Sequence, residues 1–220
     1  MFKQLIEALK ARSTLEEAFE QLDDMLDHAA WMFSRANDVL RGRADALEVR
    51  DSIYDRDKAI NDLQRSIRRK IVRHLVVNPG SEVPTCLALM TVAKDAERIG
   101  DYCKNVFEVG QFYGESFDNP TYHDPLEAIR REVEGLFASV RKALEGSDAA
   151  DARLVIAAAE GLRGRCDAII EQLLGDRTSM STHEAVAYSL LARHYKRVAA
   201  HISNICTAIT GEIEELDYPD

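Results

Sequence analysis

Two stretches of this 220-residue chain repeat one another, and that repetition restricts the fold more than any other feature. A shift of 99 places lays Val92 on Leu191, Arg98 on Arg197, Ile99 on Val198, Cys103 on Ile202, Asn105 on Asn204 and Val106 on Ile205. A shift of 106 lays Ile60 on Cys166, Leu63 on Ile169 and Ile67 on Leu173. The shifts differ by seven, so the second copy is shorter by about one turn per helix. Small or apolar residues at Leu89, Val92, Ala96, Ile99, Cys103, Val106, Gly110 and Tyr113 step by threes and fours. That period marks a long amphipathic helix in a bundle, and nothing in the chain alternates as a strand would. The expectation is an all-α fold of six helices in two three-helix bundles, spanning 1–114 and 115–220 and forming one compact domain.

Helix boundaries follow from local chemistry. Ser13-Thr14-Leu15-Glu16 reads as a capping box that launches the first helix toward Arg41-Gly42. The second runs from about Ala44 to Val77 and is ended by Asn78-Pro79-Gly80. Ser81 or Val83, ahead of Pro84, opens the third, which stops near Gly114. Glu115 to Asp124 reads as a linker broken at Asn119-Pro120, and Asp124-Pro125-Leu126-Glu127 as a second capping box. Gly146-Ser147 turns into a fifth helix, from about Asp148 to Leu174. Ser181-Thr182-His183-Glu184 starts a sixth that runs to about Leu216.

The formal charge of −10 argues against a nucleic-acid partner, whose phosphates are met by Lys and Arg. Cys86, Cys103, Cys166 and Cys206 have no metal-type spacing and no disulfide framework, which suits a reducing cytosol. The start, Met1 to Lys10, carries charges throughout and does not read as a signal peptide. No apolar run approaches the ~20 residues that span a bilayer.

The third helix carries two features that need an explanation. Glu97 and Asp101 lie four apart, so like charges stack on one face and repel by roughly 0.2–0.5 kcal/mol. Gly100 sits between them, at roughly 1 kcal/mol against Ala in a helix interior. Two readings fit the carboxylates: a solvated edge offset by Lys94, Arg98 and Lys104, or a place for a bound cation.

Asp95-Ala-Glu-Arg-Ile-Gly-Asp-Tyr-Cys-Lys-Asn-Val106, following Asp57-Lys-Ala-Ile-Asn61, resembles the PhoU domain over about 16–213. The resemblance implies two three-helix repeats, a cytoplasmic or membrane-peripheral location, and divalent metal held by carboxylates of this motif. Carried over by position, Glu97 and Asp101 match the motif and Asp57 matches an acidic position on the second helix. Asn61 stands where a carboxylate is usual. Such oxygen ligands suit iron, manganese, zinc or magnesium. Antiparallel helices would bring Asp57 and Asn61 alongside Asp101 and Glu97. The second repeat departs from the pattern: Lys196 stands for Glu97, Ala200 for Asp101 and Arg163 for Asp57. The resemblance therefore places any metal on the first repeat, with Lys196 and Arg163 neutralising Asp167 and Glu171.

The remaining polar features have plain readings. Asp23, Asp27 and His28 read as a surface face, Trp31 as a packed residue, and His194 and His201 as one side of a packed helix. The basic run Arg65, Arg68, Arg69, Lys70, Arg73 and His74 suits the helix dipole and pairs with the acidic first helix. It also reads as a dock for anionic lipid or an acidic partner, with Phe2, Leu5, Ile6 and Leu9 adding a membrane-peripheral contact. There is no Gly-rich phosphate loop, no nucleophile beside a base and no Glu-x-x-His pair, so catalysis finds no support. The expectation is a regulator of phosphate uptake or phosphate signalling that binds a membrane phosphate transporter or its sensor kinase. The alternative is a helical metal-binding protein or metalloenzyme using the same carboxylates. A homodimer fits the apolar edges of such bundles, although no residue marks an interface.

Overall fold

A computed structural model describes residues 2–80, 82–175, 180–210 and 216, with side chains described from Thr14 onward. The helices are α1 (Phe2–Leu40), α2 (Ala46–Val77), α3 (Val83–Tyr113), α4 (Pro120–Gly146), α5 (Ala149–Gly175) and α6 (Thr182–Thr210). Among the described residues there is no strand. Short turns between long helices force neighbours to run antiparallel. The helices accordingly pack as α1, α2 and α3 in one bundle and α4, α5 and α6 in another. The bundles meet mainly along α3 and α6, with a smaller contact between α1 and α4.

The caps show where local signals decided the ends. Asp45 starts α2, its carboxylate accepting from the Leu47 and Glu48 amides at 2.8 and 3.2 Å. Gly114 ends α3 in the left-handed region, at φ 66°. The Ser181 hydroxyl accepts from the Glu184 amide at 3.1 Å, as its capping box predicts. The sixth helix was expected to reach Leu216, and residues 211–215 lie outside the described residues.

Two expected starts are overturned. α1 begins at Phe2, so Ser13 and Thr14 lie inside a continuous helix. The preceding Lys, Gln, Leu, Glu and Ala are good helix formers and extend it past the capping signal. The fourth helix begins at Pro120, because the Asn119 side chain accepts from the Thr121 amide at 3.1 Å. Pro120 at the first position needs no helical hydrogen bond, and Pro125 lies inside the helix, in its second turn.

Each helix buries its apolar stripe. Leu22, Met25, Leu26, Met32 and Phe33 of α1 and Ile53, Ile60, Ile67 and Ile71 of α2 are fully buried, as are Ile99, Cys103 and Val106 of α3. Phe33 joins the repeats, its ring centroid 5.6 Å from both Phe137 of α4 and Tyr195 of α6. Such tilted aromatic pairs add about 0.5–1.5 kcal/mol each beyond area burial. Gly100 permits a close approach between α2 and α3: a Cβ there would come within 2.7 Å of Ile60 Cδ1. The cost of glycine in mid-helix is thereby tied to helix packing. All four cysteines are buried and unpaired.

Candidate functional site

Antiparallel packing of α2 and α3 brings Asp57 and Asp101 to one groove, with Lys104 between them. The Lys104 ammonium donates to Asp57 Oδ2 at 2.9 Å and to Asp101 Oδ1 at 3.4 Å. Arg98 reaches Asp101 Oδ2 at 3.3 Å and lies 3.6 Å from Glu97 Oε2. Asn61 turns its amide nitrogen back to the Asp57 backbone carbonyl, at 3.0 Å. Glu97 is raised above the ordinary carboxyl pKa, first by burial and then by the Asp101 charge. Burial pulls Lys104 down, but the hydrogen bond and charge of Asp57, followed by Asp101, outweigh it and the pKa is raised.

Geometry therefore answers the repulsion between Glu97 and Asp101 with the chain's own cations. A divalent ion wants several carboxylate or carbonyl oxygens turned toward one point. Here an ammonium stands between two of the acids, a guanidinium lies on Glu97 and Asp101, and the amide nitrogen of Asn61 is engaged elsewhere. As placed, the four residues do not fit a resident metal. Among the described residues, no group of three or more His, Cys, Asp or Glu side chains is gathered to hold one.

The second repeat shows a related arrangement. Lys196 donates to both oxygens of Asp167 at 2.6 Å, joining α6 to α5 as expected. Arg163 does not reach Glu171; it pairs with Glu160, one turn back, at 2.7 Å.

The seam between α3 and α6 holds a polar network that sequence reasoning missed. Asp95 is fully buried and accepts from His201 Nδ1 at 2.7 Å and from the Asn204 amide at 3.3 Å. Arg197 lies 3.1 Å from His201 Nε2 and donates to the Tyr102 hydroxyl at 3.2 Å. With a guanidinium donating to Nε2, the imidazole carries its proton on Nδ1, facing the carboxylate. The Tyr102 ring stacks on His201 at 5.7 Å and 19°. Under the shift of 99, Asp95 corresponds to His194 and Tyr102 to His201. The counterpart contact is also made, with the His194 and Tyr102 rings 5.9 Å apart. His194 is pulled down to about 4 by burial first and by the Arg193 charge second. The available signal was Asp95 falling inside the apolar stripe, between Val92 and Ile99.

Asp23 and Asp27 of α1 lie on the surface, as expected, and are ion-paired there. Arg141 of α4 donates twice to Asp23, at 2.7 Å each, and once to Asp27 at 3.1 Å, bridging the repeats. Arg56 lies over the Trp31 ring at 4.2 Å and 2.7 Å from His28 Nδ1. A cleft of about 690 Å³ opens where the turn after α1 faces α4, lined in part by Arg41, Arg43, His123, Glu127 and Arg131. Burial opposes ionisation of Glu127 there. Hydrogen bonds from Arg130 and Arg131 and the charge of Arg41 outweigh it, pulling the carboxyl down to about 2.

The basic run on α2 divides by face. Lys70 pairs with Glu17 of α1, and buried His74 pairs with Glu82 at 3.1 Å. Arg65, Arg68, Arg69 and Arg73 are exposed along one outer stripe. Val72 lies among them and Val76 one turn beyond, 57% and 73% exposed. At the same end, Leu87 of α3 is 50% exposed. No helix among the described residues is long and apolar enough to cross a membrane.

Two like bundles joined along their third helices define a tandem three-helix-bundle protein. The chain belongs to the PhoU domain family, whose model matches it twice, at residues 22–109 and 126–209. It is 25% identical over 131 residues to the phosphate-specific transport system accessory protein PhoU homolog 2 of Thermotoga maritima. That match covers 60% of this chain and 52% of the relative, so the chain spans about half the length of that protein. In fold it is similar to the phosphate transport system regulatory protein PhoU from Streptococcus pneumoniae, with TM-score 0.73 and 19% identity. That likeness covers 94% of this chain and 98% of the other. PhoU from Pseudomonas aeruginosa gives TM-score 0.72 at 18% identity, covering 93% and 95%.

Proposed function

We propose that this protein regulates phosphate uptake and the signalling coupled to it. It acts by binding, at the inner face of the membrane, to a phosphate transporter or to the sensor kinase associated with one. Family membership supports the pathway, and the Thermotoga maritima relative is named as an accessory protein of a phosphate-specific transport system. The outer stripe of α2 supports docking as the mode of action. The exposed guanidiniums of Arg68, Arg69 and Arg73, beside exposed Val72 and Val76, suit a partner surface that presents carboxylates next to aliphatic side chains, while Arg65 is paired with Asp62. The mixed polar and apolar character is what separates this stripe from an ordinary solvated face.

The test uses a strain that lacks this protein, with phosphate uptake and a phosphate-starvation reporter as readouts. The wild-type chain restores regulation. The triple variant Arg68→Glu, Arg69→Glu, Arg73→Glu folds but fails to restore it and loses co-purification with the transporter or kinase. If deletion changes neither uptake nor the reporter, the proposed function is wrong. If the triple variant restores both, docking lies elsewhere on the surface.

A further inference from the structure

In each repeat a lysine on the third helix donates to a carboxylate on the middle helix. We infer that Lys104 and Lys196 are the resident cations of the two grooves. The chain then takes no divalent metal at Asp57, Asn61, Glu97 and Asp101, and Lys104 is the group that keeps one out.

The argument begins with charge. Asp57, Glu97 and Asp101 bring three negative charges, and Arg98 and Lys104 return two positive ones at 2.9–3.6 Å. The charge of Arg68 also acts on Glu97, so the three acids face three cations and the groove is close to neutral. A divalent ion added to it would leave excess positive charge beside Lys104, Arg98 and Arg68. At such separations, in a partly buried groove, like charges repel strongly because water screens them only in part. To bridge Asp57 and Asp101, the ion would also need the space the ammonium fills. Side chains here are 16% exposed at Asp57, 20% at Lys104 and 31% at Asp101, so solvent screens the contacts only in part.

The second repeat supplies independent support. Lys196 stands at the position of Glu97 and holds Asp167, which stands at the position of Asn61. Shifted by 99, Lys104 falls instead on buried Ser203. The two lysines are therefore not equivalent by descent of position; they sit on different turns of equivalent helices. Each nevertheless reaches from the third helix of its repeat to a carboxylate on the middle helix. The Lys196 to Asp167 pair is the more open of the two, with side chains 30% and 48% exposed, and the inference rests on the first groove. The consequence is a member of this fold whose grooves keep the same charge whatever metals are at hand.

The experiment uses untagged full-length protein purified without chelator, in four forms: wild type, Lys104→Arg, Lys104→Met and Asp57→Ala/Glu97→Ala/Asp101→Ala. Each is incubated anaerobically with Fe²⁺, Mn²⁺, Zn²⁺ or Mg²⁺, desalted, and read by elemental analysis and thermal melting. Wild type and Lys104→Arg should retain no more metal than the triple variant, and their melting should not respond. Lys104→Met keeps the aliphatic stem but leaves three acids facing only the guanidiniums of Arg98 and Arg68. It should retain metal, and its melting temperature should rise with Mn²⁺ by mass action. Wild type that holds metal above the triple variant overturns the inference. So does a folded Lys104→Met that gains none, with Lys104→Gln read in its place if circular dichroism shows the methionine variant unfolded. The readouts are made on purified protein, so the result stands apart from any outcome of the uptake assay.

Discussion

α3 and α6 hold the same place in their bundles and have diverged at the positions that face other helices. Asp95 on one is His194 on the other, Gly100 is Ala199, and Tyr102 is His201. The apolar stripe is retained through the same positions, so packing demands were met twice by one pattern. The polar positions went separate ways because each now meets a different neighbour. What repeats in this molecule is the core, and what differs is the set of contacts that hold the copies together.

The strongest break of that comparison is at Asp95. Asp95→Ala leaves the His201 Nδ1–H and the Asn204 amide without their buried acceptor. Stability should fall by about 1–3 kcal/mol, read as a lower urea midpoint with an unchanged slope. A loss near zero would mean that the seam is held by its apolar contacts alone.

The counterpart residue, His194, should sharpen the contrast through pH. Its folded value of about 4 lies below the unfolded 6.5, so in that interval the unfolded chain binds more protons. The contribution is complete above pH 6.5 and is lost as pH falls toward 4, by up to about 3 kcal/mol. His194→Leu should flatten the stability profile between those two values. An unchanged slope would show that the proton is taken up elsewhere.

The smallest effect is expected at Gly100. Gly100→Ala makes α3 resemble α6, gaining helix propensity while pressing a methyl on the end of the Ile60 side chain. Because Ile60 Cδ1 can rotate away, the net change should stay within about 1 kcal/mol of zero. Gly100→Val should cost clearly more, and thermal melting of both variants separates propensity from packing.

The helical period was legible because it recurs across six elements. The repeat was legible because apolar positions keep their register even where residue identities change. Two capping boxes misled for different reasons: the residues before Ser13 favour helix and carry α1 through it, whereas Asp124 is preceded by a working cap at Asn119 with Pro120 at the first helical position. Asn119-Pro120 held the true start of α4, hidden inside what read as a linker. At the candidate site, the helical period puts Lys104 within reach of Asp101. Spacing along α3 could not reveal that its ammonium crosses to Asp57 on another helix. Asp95 was passed over because an acid in an apolar stripe gives no sign of its partner, which lies 106 residues away in the chain.

The Asp95 to His201 contact also bears on how freely these halves can be exchanged. A chain made of two first repeats would set Asp95 against Tyr102, and one made of two second repeats would set His194 against His201. Only the mixed pairing matches a carboxylate with a ring N–H. The halves have thus become complementary parts in place of copies, like a plug and its socket. Recombination or deletion that restores symmetry would remove the fit, so the divergence has a direction that is hard to reverse.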